Sequence, residues 1–227
     1  MKQNLISIQQ RIERSANKCG RDPKTIRLVA VGKTQTADRV REAVCAGATI
    51  IGENYIQEAR EKFDQLVDLD VQWHFIGHLQ SNKAKYAVRM FSLIHSVDSI
   101  KLAKELNKQA KKIGKRQRIL VQVNIGDAPS KSGLAEKEAA ENIVRIAEME
   151  NLHILGLMTM PPFFDDPERA RPYFAALRRL RDSLSPSAGL SPDFKELSMG
   201  MTGDFEAAIE EGATLVRIGT ALFGARQ

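Results

Sequence analysis

The chain has 227 residues, 43% of them apolar and 27% charged, enough for one sizeable core under an ordinary polar surface. Its net charge is +6, and no apolar run approaches the roughly 20 residues that span a bilayer. Two cysteines, Cys19 and Cys45, stand in no metal-ligand spacing, and the polar N-terminus MKQNLISIQQRIERSANKC is no secretory signal, so a reduced, cytoplasmic protein is expected.

In chain order, Leu5, Ile8, Ile12 and Ala16 form one apolar stripe of a leading helix. Short β-rich runs then follow at 28–32, 49–52, 72–76, 92–96, 119–124, 153–158, 194–198 and 214–218. Helical stretches fill the gaps, at 37–46, 54–66, 81–90, 99–113, 135–149, 167–184 and 203–211. In 99–113, Ile100, Ala103, Leu106, Ala110 and Ile113 recur at three- and four-residue steps behind Asp98 and Ser99 as cap candidates. In 167–184 the same spacing links Ala170, Tyr173, Leu177, Leu180 and Leu184, with Pro167 near the start.

Eight strands alternating with helices predict an α/β fold, a single (β/α)8 TIM barrel with an extra N-terminal helix, occupying residues 1–227 as one domain. A doubly wound open sheet is the alternative, but no dinucleotide fingerprint supports it. About nine residues follow the eighth strand, too few for a full last helix, so the leading helix is expected to cover that wall. The loop GDAPSKSGL (126–134) is turn-rich and expected to be mobile. The basic cluster KQAKKIGKRQR (108–118) sits at a helix end, where solvated Lys and Arg favour the helix dipole. No aromatic residues interleave with it, which argues against nucleic-acid binding.

Barrels of this type gather chemistry at the C-terminal ends of their strands. Those ends read Lys33; Glu53 and Asn54; Gly77 and His78; Ser96; Asn124; Met158 and Thr159; Ser198 and Met199; and Arg217 with Gly219 and Thr220. GKT at 32–34 is no phosphate-binding P-loop, because Arg27 stands where that motif needs its first glycine. A lysine snorkelling from the barrel mouth is one account of Lys33; an amine in a low-dielectric cavity, able to form a Schiff base, is the other. Gly219, Thr220 and Ser198 suit an anion after the last two strands, and the turn MGMTG (199–203) leads into a helix N-terminus; turn chemistry alone is the competing account. Arg217 lies mid-strand in VRIG: facing inward it needs a partner such as a ring nitrogen, facing outward a carboxylate. A lysine amine, an anion cup and an inward arginine together meet the requirements of pyridoxal 5′-phosphate.

The stretches RLVAVGKT, IGENYIQEA, WHFIGHLQSNK, IHSVDS, VNIGDAPSKSG, GLMTM, ELSMGMTGDFEAAI and VRIGTALFG, spanning 27–224, resemble the pyridoxal-phosphate homeostasis proteins, relatives of the N-terminal barrel domain of alanine racemase. The resemblance implies a Schiff base on Lys33, Asn54 beside the ring, phosphate contacts from Ser198, Gly219 and Thr220, and Arg217 facing the pyridine nitrogen. It also implies that His78, Met158 and Met199 line the pocket. The chain departs from the family pattern at Gly32 (usually Ser), Thr36 (usually Pro) and Thr202 (usually Ser). What the resemblance implies is a monomeric intracellular carrier or buffer of the cofactor, without strong catalytic activity and with apo-enzymes as acceptors. A pyridoxal-phosphate-dependent amino-acid racemase is the alternative.

Overall fold

The structure, a computed structural model, describes residues 1–126, 132–184 and 190–224. Residues 127–131 of the turn-rich loop lie outside the described residues.

The leading helix α1 (Lys2–Lys18) is followed by β1 (Arg27–Val31), α2 (Ala37–Cys45), β2 (Ile50–Glu53), α3 (Ile56–Gln65) and β3 (Gln72–Phe75). Then come α4 (Ala84–Met90), β4 (Leu93–Val97), α5 (Ile100–Lys112), β5 (Gln117–Asn124), the two-residue β6 (Leu134–Ala135) and α6 (Glu136–Ala147). The last elements are β7 (Leu152–Met158), α7 (Arg171–Leu184), β8 (Glu196–Ser198), α8 (Phe205–Glu210), β9 (Leu215–Ile218) and α9 (Thr220–Phe223). The expected eight strands are all present, each shifted by no more than two residues at either end. The short β6, paired beside β5 through Val123 and Leu134, is an addition that no apolar run announced.

Every strand pairing is parallel, and β1 pairs with both β2 and β9 while β4 pairs with β5, so the eight long strands close on themselves. Side chains alternate across the wall, as the two-residue strand period requires. Val29, Val31, Ile50, Leu93, Leu120, Met158 and Leu215 fill the barrel, whereas Ala30, Ile51, Ile94, Val121 and Ile218 face the helices. Because both faces are covered, the strands read as near-continuous apolar runs rather than alternating ones.

The helices start where the sequence supplies caps: Ser99 Oγ accepts from Leu102 N (3.3 Å) and Thr36 Oγ1 from Arg39 N (3.4 Å). Thr36, one of the departures noted above, therefore begins α2. Helix α1 covers the wall left open by the one-turn α9, as expected. Leu5, Ile8, Ile12 and Ala16 are buried, α1 packs on α8 and α9, and Asn4 Nδ2 donates to Leu222 O (2.9 Å). Burying side chains of this size contributes about 1.5–3 kcal/mol each. No helix among the described residues is long and apolar enough to cross a membrane.

Candidate active site

A cleft of about 290 Å³ opens at the C-terminal end of the barrel. Val31, Lys33, Asn54 and Ile76 form one side, Met160, Phe163 and Phe164 of the β7–α7 loop form another, and the turn Met201–Asp204 faces them. Arg217, Gly219 and Thr220 complete it.

Lys33 is placed by a tight turn. Gln35 N donates to Gly32 O (3.1 Å), leaving Lys33 and Thr34 as its two central residues. Thr34 has φ 62°, a left-handed conformation that costs a non-glycine residue about 1–2 kcal/mol. Such strain persists only where surrounding contacts impose it.

Asn54 follows β2, half-buried, and its Oδ1 is buried without a hydrogen-bond partner. The residue lines the cleft while this acceptor is buried beneath its surface, so a ligand donor would meet it once the side chain turns outward. The backbone beside it is closely packed: a Cβ on Gly77 would lie 2.2 Å from Asn54 O and 2.6 Å from Asn54 Cα. Ser96 Oγ also donates to Gly77 O, tying the β3 loop to β4. Gly77→Ala is therefore expected to lower stability by about 1–3 kcal/mol or more and to displace Asn54; the urea midpoint, compared with that of the control Gly203→Ala, where a Cβ meets nothing within 4 Å, measures it.

Arg217 is 3% exposed and faces inward, two residues after Leu215 of the barrel interior. Nη1 donates to Ser198 Oγ (2.6 Å) and Nη2 to Thr159 O (2.9 Å), using two of the five N–H donors of a guanidinium. Burial pulls its pKa down to about 10, and it stays protonated at neutral pH.

The Ser198 hydroxyl also lies 2.8 Å from His95 Nδ1, and His95 Nε2 lies 3.0 Å from His74 Nδ1. Arginine can only donate, so Ser198 Oγ accepts from Arg217; with one proton and one lone pair left it either donates to His95 Nδ1 or accepts from it, and the His95–His74 bond runs in the matching direction. Both imidazoles are held neutral by burial, His74 with a pKa of about 3 and His95 well below the ordinary histidine value. Sequence reasoning missed this buried chain, because a histidine inside an apolar strand carries no mark of its partner.

Of the expected site residues, Lys33, Asn54, Arg217, Gly219 and Thr220 come together around the cleft. Ser198 is 0% exposed and its hydroxyl is engaged below the cleft floor; the hydroxyls on the lining belong to Thr202 and Thr220 instead. Met158 packs inside the barrel and Met199 faces the helix layer, so neither lines the cleft. His78 lies in a neighbouring depression that shares Asn54 with the cleft; its side chain is 61% exposed and its Nδ1 is 3.1 Å from Asp98 Oδ2.

Asp204 is a lining residue that sequence reading passed over. Its Oδ1 accepts from Met201 N (2.6 Å), closing the MGMTGD turn, and burial raises its pKa, while Met201 N–H and the nearby Arg217 pull the other way. The signal was its place one residue before a helix. The exposed Phe163, in the run PPFFDD, was a second legible sign of a loop with a task.

Residues 3–227 match the family model described as alanine racemase, N-terminal domain. A pyridoxal phosphate homeostasis protein of Aquifex aeolicus is 43% identical over 99% of this chain and 98% of its own length. A protein of the same name from Escherichia coli K12 is 40% identical, over 98% of this chain and 95% of that one. Among solved structures, PipY of Synechococcus elongatus PCC7942 with PLP bound superposes with a TM-score of 0.84 at 37% identity, covering 94% of this chain and 100% of PipY. An alanine racemase of Clostridium difficile shares the fold alone, with a TM-score of 0.74 at 18% identity over 99% of this chain and 57% of the racemase.

Proposed function

We propose, from the fact that the chain belongs to the alanine racemase N-terminal domain family and to its pyridoxal phosphate homeostasis members, that it holds pyridoxal 5′-phosphate through the Lys33 amine and acts as an intracellular carrier and buffer of that cofactor. The observation that carries the reading is that an amine (Lys33), a buried guanidinium (Arg217) and two hydroxyls beside glycines (Thr202–Gly203 and Gly219–Thr220) surround one cleft.

Each residue has a distinct task. Lys33 provides the nucleophile for the cofactor's aldehyde. Thr220 and the first N–H groups of α9, which have no intrahelical acceptor, suit the phosphate, with Thr202 taking the part first given to Ser198. Asn54 Oδ1 offers an acceptor to the ring substituents. Arg217 stays protonated and donates toward the ring nitrogen, which is thereby kept unprotonated. Bound in this way the cofactor supplies a reactive aldehyde but a weak electron sink.

Carrier chemistry needs no second acid–base group, and none is evident. Among the described residues, Tyr55, Tyr86 and Tyr173 do not line the cleft, and the one carboxylate that does, Asp204, has its Oδ1 engaged by Met201 N. This favours the carrier over the racemase. The reading takes residues 1–227 as one unit, monomeric and cytoplasmic, with apo-enzymes as acceptors.

The test is a transfer assay. Loaded protein is expected to reactivate a pyridoxal-phosphate-dependent apo-enzyme while keeping the free aldehyde low, and borohydride should fix the cofactor on Lys33 alone, as read by peptide mass spectrometry. Rapid deuteration of amino-acid α-carbons in deuterated water, dependent on Lys33, would instead establish the racemase.

A further inference from the structure

The two backbone groups that flank Lys33 are both held by one helix. On α3, Glu58 and Lys62 stand one turn apart on the same face. Lys62 Nζ donates to Gly32 O (2.6 Å), directly before Lys33, and to Glu53 Oε1 (2.8 Å). Glu58 Oε2 accepts from Thr34 N (2.9 Å), directly after Lys33, and lies 3.6 Å from Lys62 Nζ. Lys62 and Glu53 are 5% and 0% exposed, so this is an interior ion pair.

A buried pair is expensive to desolvate and is weak evidence for stability by itself. This one is directed at a particular place. Its ammonium bonds the carbonyl that also closes the Lys33 turn, and its helix supplies the acceptor for the amide of the left-handed Thr34. Gly32 is part of the same arrangement, because a Cβ there would lie 2.7 Å from Glu53 Oε1. A glycine leaves the carboxylate room to reach Lys62, which gives the departure at this position a physical reason.

We infer that Glu58 and Lys62 are positioning residues for Lys33: clamping Gly32 O and Thr34 N, they hold the strained turn so that the amine is presented to the cleft by α3 as well as by β1. The clamp is a feature of the cofactor-free chain, and its bearing on cofactor capture rests on the reading above.

Two readouts test it, using Glu58→Ala, Glu58→Gln and the uncharged double variant Glu53→Gln/Lys62→Met. The first is hydrogen exchange of the Thr34 amide in the cofactor-free protein. The second is the pyridoxal phosphate concentration that half-saturates borohydride labelling of Lys33. Glu58→Ala removes the acceptor from a partly exposed side chain, so the fold should be retained; Thr34 exchange should quicken and half-saturation rise, each about tenfold. Glu58→Gln keeps an acceptor and should restore both. The double variant should shift half-saturation in the same direction with its urea midpoint near that of the wild type. Wild-type exchange and wild-type labelling in Glu58→Ala would overturn the clamp. A wild-type chain that takes no label, yet shows the exchange difference, would sink the cofactor reading and support the clamp.

Discussion

Replacing Lys33 by alanine is expected to abolish labelling by borohydride reduction while leaving a folded protein that still binds pyridoxal phosphate weakly. Lys33 is half-buried at the tip of a turn held by backbone hydrogen bonds and by the α3 contacts to Gly32 O and Thr34 N, all of which alanine retains. Stability should change by no more than about 1 kcal/mol. The other contacts proposed for the cofactor, to Arg217, Thr202 and Thr220, do not depend on the covalent link. Affinity should therefore fall by about two orders of magnitude, roughly 3 kcal/mol, and not to zero. Equilibrium dialysis against pyridoxal phosphate measures the residual binding, and peptide mass spectrometry after reduction measures the label. Label persisting on another lysine of Lys33→Ala at wild-type stoichiometry would move the site elsewhere.

The barrel was legible because its walls are buried on both faces, which writes each strand as a compact apolar run between helical periods. Lys33, Asn54, Arg217, Gly219 and Thr220 were legible because such barrels display chemistry at their strand ends. What spacing does not encode is which way the last residues of a strand turn. Ser198 and Met158 close β8 and β7 yet point into the barrel below the cleft, and Met199 turns to the helices. Glu53 closes β2 and reads as part of a polar ring at the mouth, but it turns outward to Lys62 on α3. His78 lies in the loop after β3, where no strand parity applies, and it pairs with Asp98 outside the cleft. Glu53, His78 and Ser198 each depend on a partner 9 to 103 residues away, and no local pattern specifies it.

Acid should destabilise the protein through the two histidines inside the barrel. His74 and His95 are neutral in the folded state, His74 with a pKa of about 3 and His95 well below 6.5, because burial opposes their charge. In the unfolded chain each would titrate near 6.5. Below that pH the unfolded state binds more protons, so stability falls by up to about 1.4 kcal/mol per pH unit for each histidine. Between pH 6.5 and 4.5, His74 alone should remove about 2–3 kcal/mol. Glu53 acts in the opposite sense: burial raises its pKa from 4.5 to about 7, so the folded state binds the extra proton across that window and gains stability as pH falls through it. Asp204, also raised by burial, has the same sign. Once Glu53 is protonated in both states, the histidines have no such offset, and the loss should steepen below about pH 4.5. His95→Gln tests this directly. Glutamine can bridge Ser198 and His74 but cannot titrate, so the unfolding free energy from urea titrations should fall less steeply with acid, by up to about 1.4 kcal/mol per pH unit. An unchanged slope, or a His74 or His95 imidazole of the folded wild type that titrates near pH 6 by NMR, would refute the neutral chain. If the chain is neutral as described, Arg217 is the one cation in the hydrogen-bonded line from Arg217 to His74. Acid that forced a proton onto His95 would set a second positive charge against the Ser198 hydroxyl that orients the guanidinium, so unfolding and the loss of the cleft's geometry should be one event, not two.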